Sequence, residues 1–95
     1  MQKVTLDEIL GLERYEKIRD EFRRRIINLK THRRVSVGDR VTFVFENRET
    51  VLFQIQEMLR AEHITDIDKV RFEVTVYNDL IPGDSELSAT MLIEI

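Results

Sequence analysis

Cysteine is absent from this chain of 95 residues. Without a thiol, the chain cannot form a disulfide, hold zinc or an iron–sulfur cluster through thiolates, or use a cysteine nucleophile. Glycine and proline are also scarce, with three and one residues, so long irregular loops are not expected. Hydrophobic residues make up 42% and charged residues 35%, which is typical of a folded globular domain.

Long hydrophobic runs are missing as well. No stretch of about 18 apolar residues occurs, so the sequence predicts no membrane-spanning helix and no membrane partner. Charged residues interrupt the N-terminus at once, so it lacks the apolar core of a signal peptide. We therefore expect a cytoplasmic protein, and the length predicts a single domain over residues 1–95 with one modest core.

Three segments have the signals of helices. Thr5 and Glu8 have the spacing of a capping box before a short helix at about 6–11. Apolar residues spaced three and four apart predict a long helix at about 13–31. Asn47 is a favourable N-cap for a further helix that runs to about residue 62.

Alternating apolar residues indicate strands in two other segments. Residues 34–46 alternate on both sides of a Gly38-Asp39 turn signal and predict a β-hairpin, and a strand is predicted at about 87–95. Residues 66–81 fit both a strand and a helix, and we favour a helix. The predicted fold is α+β, with two or three helices packed on a small antiparallel sheet formed by the 34–46 hairpin and the 87–95 strand.

The apolar stripes of these elements predict a shared core and a polar face on the 47–62 helix. The expected core residues are Phe22, Ile26, Val41, Phe43, Leu52, Ile55 and Leu59. At 100° per residue, Phe53, Gln56 and Arg60 point away from the buried side of their helix. Since a large aromatic residue on a polar face favours contact with another surface, we expect an interface there.

This polar face and residues 46–48 at the start of the helix form the first candidate site. Its residues are Glu46, Asn47, Arg48, Phe53, Gln56, Glu57 and Arg60. A carboxylate beside an arginine could also hold a ligand or serve in acid–base catalysis, so a ligand-binding protein or enzyme using Glu46, Arg48, Glu57 and Arg60 is the alternative. A third interpretation is an exposed face with pairs such as Glu57–Arg60 along one helix.

A short basic segment is the second candidate site. Residues 23–34 contain six basic residues and no acidic one, although the whole chain has a net charge of −3. We favour a structural role, in which these basic residues suit the negative end of the long helix and pair with acidic residues of the same chain. The segment could instead bind an acidic protein or nucleic acid, but nucleic acid is disfavoured because the pI is 5.4 and no aromatic residue lies within it. The six residues are Arg23, Arg24, Arg25, Lys30, Arg33 and Arg34.

Catalytic and metal-binding motifs are not found in the sequence. His32 and His63 lie far apart and have no ligand spacing around them, so no metal site and no cofactor is predicted. The serines lie in no nucleophile-elbow pattern, and no phosphate-binding glycine loop occurs. The absence of such motifs favours a protein that is not an enzyme.

Three stretches of the sequence resemble one bacterial family. They are LDEILGLERYEKIRDEFR (6–23), FENRETVLFQIQEMLRAE (45–62) and YNDLIPGDSELSATMLIEI (77–95), and they resemble the family called domain of unknown function 3501. The resemblance implies no established activity, and it implies gene neighbours that encode rubrerythrin-like and iron–sulfur proteins. It also implies that typical members are about twice as long, so that this chain corresponds to their N-terminal half and is incomplete relative to them.

The leading interpretation is a non-enzymatic accessory or interaction module, in a redox or iron-protein setting that the resemblance implies. We expect a homo-oligomer or a protein partner, because the predicted strand at 87–95 offers an edge with unpaired backbone groups and few charges.

Overall fold

The computed structural model describes residues 2–83 and 88–93. Within these residues the chain forms one 3-10 turn, three α-helices and three strands. In chain order these are the 3-10 turn Leu6–Glu8, α1 Leu12–Thr31, β1 Arg34–Val37, β2 Val41–Phe45, α2 Arg48–Ala61, α3 Ile67–Asn78 and β3 Ala89–Ile93. This confirms the predicted α+β fold; residues 87, 94 and 95 of the predicted last strand lie outside the described residues.

Local hydrogen bonds explain where α2 and α3 begin. The side chain of Asn47 accepts a hydrogen bond from the backbone N–H of Thr50 at 2.9 Å, and the hydroxyl of Thr50 accepts one from the N–H of Asn47. The carboxylate of Asp66 accepts the N–H of Asp68 at 2.8 Å. These caps satisfy N–H groups that have no partner inside a helix, and they place a helix in the segment that the sequence left ambiguous.

The three strands form one antiparallel sheet in the order β1-β2-β3. Gly38 has a φ of 72° in the turn between β1 and β2, a conformation that glycine adopts without a steric penalty. Val35 lies opposite Phe43, and Phe43 lies opposite Met91 on the other side. Because both registers keep odd-numbered residues together, one face of the sheet consists of odd-numbered side chains.

The main core lies around α2, between the N-terminal segment and α3. Its buried members are Val4, Val51, Ile55, Leu59, Val74 and Ile81. The predicted burial of Ile55 and Leu59 is confirmed, and Ile26 is buried apart from this cluster. The predicted burial was wrong for four residues that are only half-buried. These four are Phe22, Val41, Phe43 and Leu52. The two on β2 are half-buried because the N-terminal segment and α3 cover α2, where the sheet was expected to pack. Leu52 packs at the margin of the core, and Phe22 stacks on Phe53.

The molecule is more extended than a compact domain of its length. Its radius of gyration is 14.1 Å, whereas a compact chain of this length has one of about 12.4 Å. Helix α2 packs against α1 and α3, while the sheet packs on the helices much less closely than they pack on one another. In the described part of the chain, no helix is both long and apolar enough to cross a membrane.

Candidate functional site

The helical wheel placed Gln56 on an exposed polar face, but the structure buries this residue. Its side chain is 1% exposed. Its amide oxygen accepts the backbone N–H of Leu10 at 2.7 Å, and its amide nitrogen donates to the carbonyl of Leu10 at 3.2 Å. Gln56 therefore holds the N-terminal segment on α2, and the predicted outward orientation is wrong.

Phe53 also finds a partner within the chain. Its ring stacks on Phe22 of α1 with the centroids 5.6 Å apart, and Tyr15 meets Phe22 edge-on at 6.3 Å. Phe53 is half-buried, so the expected uncovered aromatic is an element of the α1–α2 contact. The expected lack of cover over Phe53 is therefore wrong, while the interface expected on this face stays a prediction.

Glu57 joins α2 to α1 through a hydrogen-bonded cluster. Its carboxylate accepts the buried hydroxyl of Tyr15 at 2.8 Å and two bonds from the guanidinium of Arg19 at 2.9 Å. The bonds to Arg19 lower the pKa of Glu57, and burial raises the pKa of Tyr15. Arg60 pairs with Glu16 of α1, so the predicted pairing of Glu57 with Arg60 along one helix is replaced by pairs between helices.

Glu46 and Arg48 bond to other parts of the molecule. Glu46 is 2% exposed, and its carboxylate accepts bonds from Thr50, Gln54 and Thr90. Arg48 pairs with Glu8 of the 3-10 turn.

The cavities also keep these residues apart. Glu57 lines an open groove of about 330 Å³ with Phe53 and Tyr77, whereas Arg48 lines a different groove of about 300 Å³. Neither of these two grooves includes Glu46 or Arg60. Glu57 and Arg48 therefore line separate surfaces, and the predicted carboxylate–arginine site stays a prediction.

The basic segment is partly used within the chain. Arg33 donates to the carbonyl of Phe45 at 2.8 Å. The guanidinium carbon of Arg25 lies over the ring of Phe22, 4.8 Å from its centroid. Lys30 is half-buried, while the remaining arginines of the segment are exposed. Those exposed residues are Arg23, Arg24 and Arg34. The segment is therefore a mixture of structural and exposed charges, and its predicted contact with an acidic partner stays a prediction.

Within the described ranges 2–83 and 88–93, no group of three or more histidine, aspartate or glutamate side chains is close enough to hold a metal ion.

An exposed apolar surface is present on the sheet, where the sequence analysis placed part of the core. We call it the apolar face. Val35, Val37, Met91 and Ile93 are 47%, 55%, 53% and 60% exposed. The register places all members on one side of the sheet. They are Val35, Val37, Val41, Phe43, Phe45, Ala89, Met91 and Ile93.

The opposite side of the sheet has a different composition. Val44 is 6% exposed, and the hydroxyl of Thr90 donates to the buried Glu46 at 2.7 Å. Arg34 and Ser36 are the polar residues of β1 on that side. The side opposite the apolar face is therefore more polar and is buried at Val44, although its residues on the outer strands are exposed as well, including Leu92 at 45%. The alternation in the sequence predicted the strands, but it could not tell that nothing in the described residues covers the apolar face.

Comparison with known proteins gives a family and a longer structural relative. A family model described as "Protein of unknown function (DUF3501)" matches residues 3–95. A crystal structure of a protein of unknown function from Burkholderia pseudomallei is 40% identical and superposes with a TM-score of 0.92. The match covers 97% of this chain and 52% of that one, so this chain spans about half the length of its relative. Among curated proteins, none matches significantly.

Proposed function

The chain belongs to the DUF3501 family, and from its open sheet surface we propose that it is an interaction module. Its apolar face binds polypeptide equivalent to the part of the Burkholderia chain outside the matched half, which we call the counterpart segment. The observation that carries the proposal is the exposure of four apolar side chains, Val35, Val37, Met91 and Ile93, on one side of a sheet. Contiguous exposed apolar surface of this kind marks interaction sites.

The size of the apolar face favours the counterpart segment over a second copy of this chain. The apolar face has eight residues. A stable interface between separate proteins uses about 20–30 residues on each partner. A face of this size suits a partner that is held covalently nearby, because tethering raises the effective concentration to the millimolar range.

The length of the relative supplies such a partner. The Burkholderia chain contains the present fold at a TM-score of 0.92 and has nearly as much chain again outside it. The TM-score shows that the two matched halves share one backbone fold, so the sheet that carries the apolar face has an equivalent in the longer chain. We therefore propose that the apolar face contacts the counterpart segment.

The test compares the chain alone with a hybrid in which the counterpart segment is joined in the order found in the Burkholderia protein. Val37→Asp places a charge on the apolar face, and Ser36→Asp places the same charge next to it on the opposite side. In the hybrid, Val37→Asp should lower the free energy of unfolding by at least about 2 kcal/mol, because the charge becomes buried without a partner. In the chain alone it should cost less than about 0.5 kcal/mol.

Ser36→Asp is the matched control and should cost less than about 0.5 kcal/mol in both proteins. An equal effect of Val37→Asp in the two proteins would overturn the proposal, and so would a hybrid less stable than the chain alone. Sedimentation of the chain alone completes the test. A dimer that Val37→Asp dissociates would show that a second copy occupies the face, which also contradicts the proposal.

The redox setting is a second part of this proposal, and it rests on the family resemblance. Because the chain has no cysteine, thiolate-held iron would have to belong to its partner. The experiment is iron analysis of cell-purified complexes of the chain, with the Val37→Asp variant as control. Iron that co-purifies with the parent and not with the variant would support this setting, and equal iron in both would contradict it.

A further inference from the structure

The two edges of the sheet differ in how they discourage further pairing. β1 carries Arg34 and is followed by the Gly38 turn with Asp39 and Arg40. β3 reads A-T-M-L-I from Ala89 to Ile93 and contains no charge, proline or glycine. Natural edge strands are usually blunted by charge, proline or a bulge, because unpaired backbone groups recruit other strands. Within the strands, β1 has one charged residue and β3 has none, and in the sequence a charged turn follows β1 while the single residue Glu94 follows β3.

The hydrogen-bond pattern shows which backbone groups of β3 face outward. The N–H of Glu46 donates to the carbonyl of Ser88 at 2.7 Å, which makes this a hydrogen-bonded pair of the β2–β3 ladder. Since such pairs alternate in antiparallel sheets, Thr90 and Leu92 bond to β2. The N–H and C=O groups of Ala89, Met91 and Ile93 therefore point away from β2.

On β1 the outward-facing backbone groups follow from the bond next to the strand. The N–H of Phe45 donates to the carbonyl of Arg33 at 3.0 Å, so Val35 and Val37 bond to β2, and Arg34 and Ser36 present their N–H groups outward. Within residues 2–83 and 88–93, neither outer edge pairs with another strand. The sheet thus has two open edges, one charged and one apolar.

We propose that β3 accepts a fourth strand, and that this strand comes from the counterpart segment. The inference rests on the proposed function and adds the mode of contact: strand addition at the outward groups of Ala89, Met91 and Ile93. These residues also lie on the apolar face. A polypeptide that pairs with β3 is therefore positioned to continue across that face and to enlarge an interface that is small by itself.

Residue-resolved amide exchange of the hybrid and of the chain alone tests the fourth strand. The amide of Met91 should exchange at least about a hundredfold more slowly in the hybrid, because pairing with a strand protects it. The amide of Ser36, which points outward from the opposite edge, should exchange at the same rate in both proteins. Protection of Ser36 instead of Met91 would place the added strand on β1 and overturn the inference.

Two variants at Met91 separate backbone pairing from side-chain contact. Met91→Ala removes the side chain and keeps the N–H, whereas Met91→Pro removes both. Proline is tolerated on an edge strand where the N–H faces outward, so both variants should fold. The difference in stability between Met91→Pro and Met91→Ala should be larger in the hybrid than in the chain alone. Ser36→Pro, the control on β1, should have the same effect in both proteins.

The outcomes distinguish this inference from the proposed function. If Val37→Asp is selectively destabilising in the hybrid while the Met91 amide stays unprotected, the apolar face is covered without strand addition and only the fourth strand is refuted. If neither effect appears, the proposed function itself is refuted. An equal difference between Met91→Pro and Met91→Ala in both proteins would also count against the fourth strand.

Discussion

The polar side chains of α2 hold the helices together. Gln56 bonds the N-terminal segment, Glu57 bonds α1, and Arg60 pairs with Glu16. A helical wheel places Gln56 opposite the apolar stripe, because it assumes that one side of the helix is buried. Helix α2 lies between α1 and α3 and is buried on more than one side. The residue types were therefore recognised from the sequence, while their partners depended on tertiary packing.

The first prediction concerns Gln56. Gln56→Ala leaves the backbone N–H and C=O of Leu10 without their side-chain partner, and it should lower the free energy of unfolding by about 1–3 kcal/mol. Urea unfolding followed by circular dichroism measures this change. Arg23→Ala, an exposed position on α1, is the control and should change stability by less than about 0.5 kcal/mol. Equal effects of the two substitutions would contradict the role assigned to Gln56.

The second prediction concerns the pH dependence of stability. The hydrogen bond from Arg48 lowers the pKa of Glu8 from 4.5 to about 2. Because the folded state has the lower pKa, this contribution is fully present above pH 4.5 and is lost as the pH falls towards 2. The stability advantage of the parent over Glu8→Gln should therefore shrink as the pH falls through this window.

Urea midpoints between pH 2 and pH 5 measure that difference. Arg48→Met removes the partner of Glu8, so its stability should also approach that of the parent at low pH. A difference between the parent and Glu8→Gln that is constant across the window would show that the ion pair does not shift the pKa of Glu8.

At the scale of elements, local signals predicted most of the secondary structure. Caps at Asn47 and Asp66, the Gly38 turn and the alternation of β1 and β2 act over a few residues and can be recognised in a sequence. The segment 66–81 fitted two periods, and the structure resolves it as α3. Val41 and Phe43 were assigned to the core because alternation identifies one face of a strand without showing what covers that face.

The third prediction compares α2 with the sheet. Ile55 is fully buried, whereas Val37 is 55% exposed. Ile55→Ala should cost about 2–5 kcal/mol, as large-to-small changes in a core do, and Val37→Ala should cost less than about 0.5 kcal/mol. Thermal and urea unfolding of both variants check this. Similar costs for the two would mean that the apolar face is already covered in the chain alone.

At the scale of the whole molecule, the proposed contact with further polypeptide would account for both the extended shape and the open sheet. The radius of gyration of 14.1 Å exceeds that of a compact chain, and the sheet packs loosely on the helices. A relative with the same fold contains about twice as much chain. These observations agree with a module whose sheet is completed by further polypeptide. The sequence analysis expected contact at Phe53 and at the edge of the 87–95 strand, but it did not expect the exposed face of the sheet, because that exposure follows from the arrangement of all the elements.

The rate of oxidation of Met91 by hydrogen peroxide tests the central claim, because it reports directly whether the apolar face is covered. The Met91 side chain is 53% exposed, and mass spectrometry of the β3 peptide can follow its sulfoxide. The account predicts a rate near that of a free methionine in the chain alone and a rate at least about tenfold lower in the hybrid, where the counterpart segment excludes the oxidant. Equal rates in the two proteins would contradict the claim that this face is the contact surface.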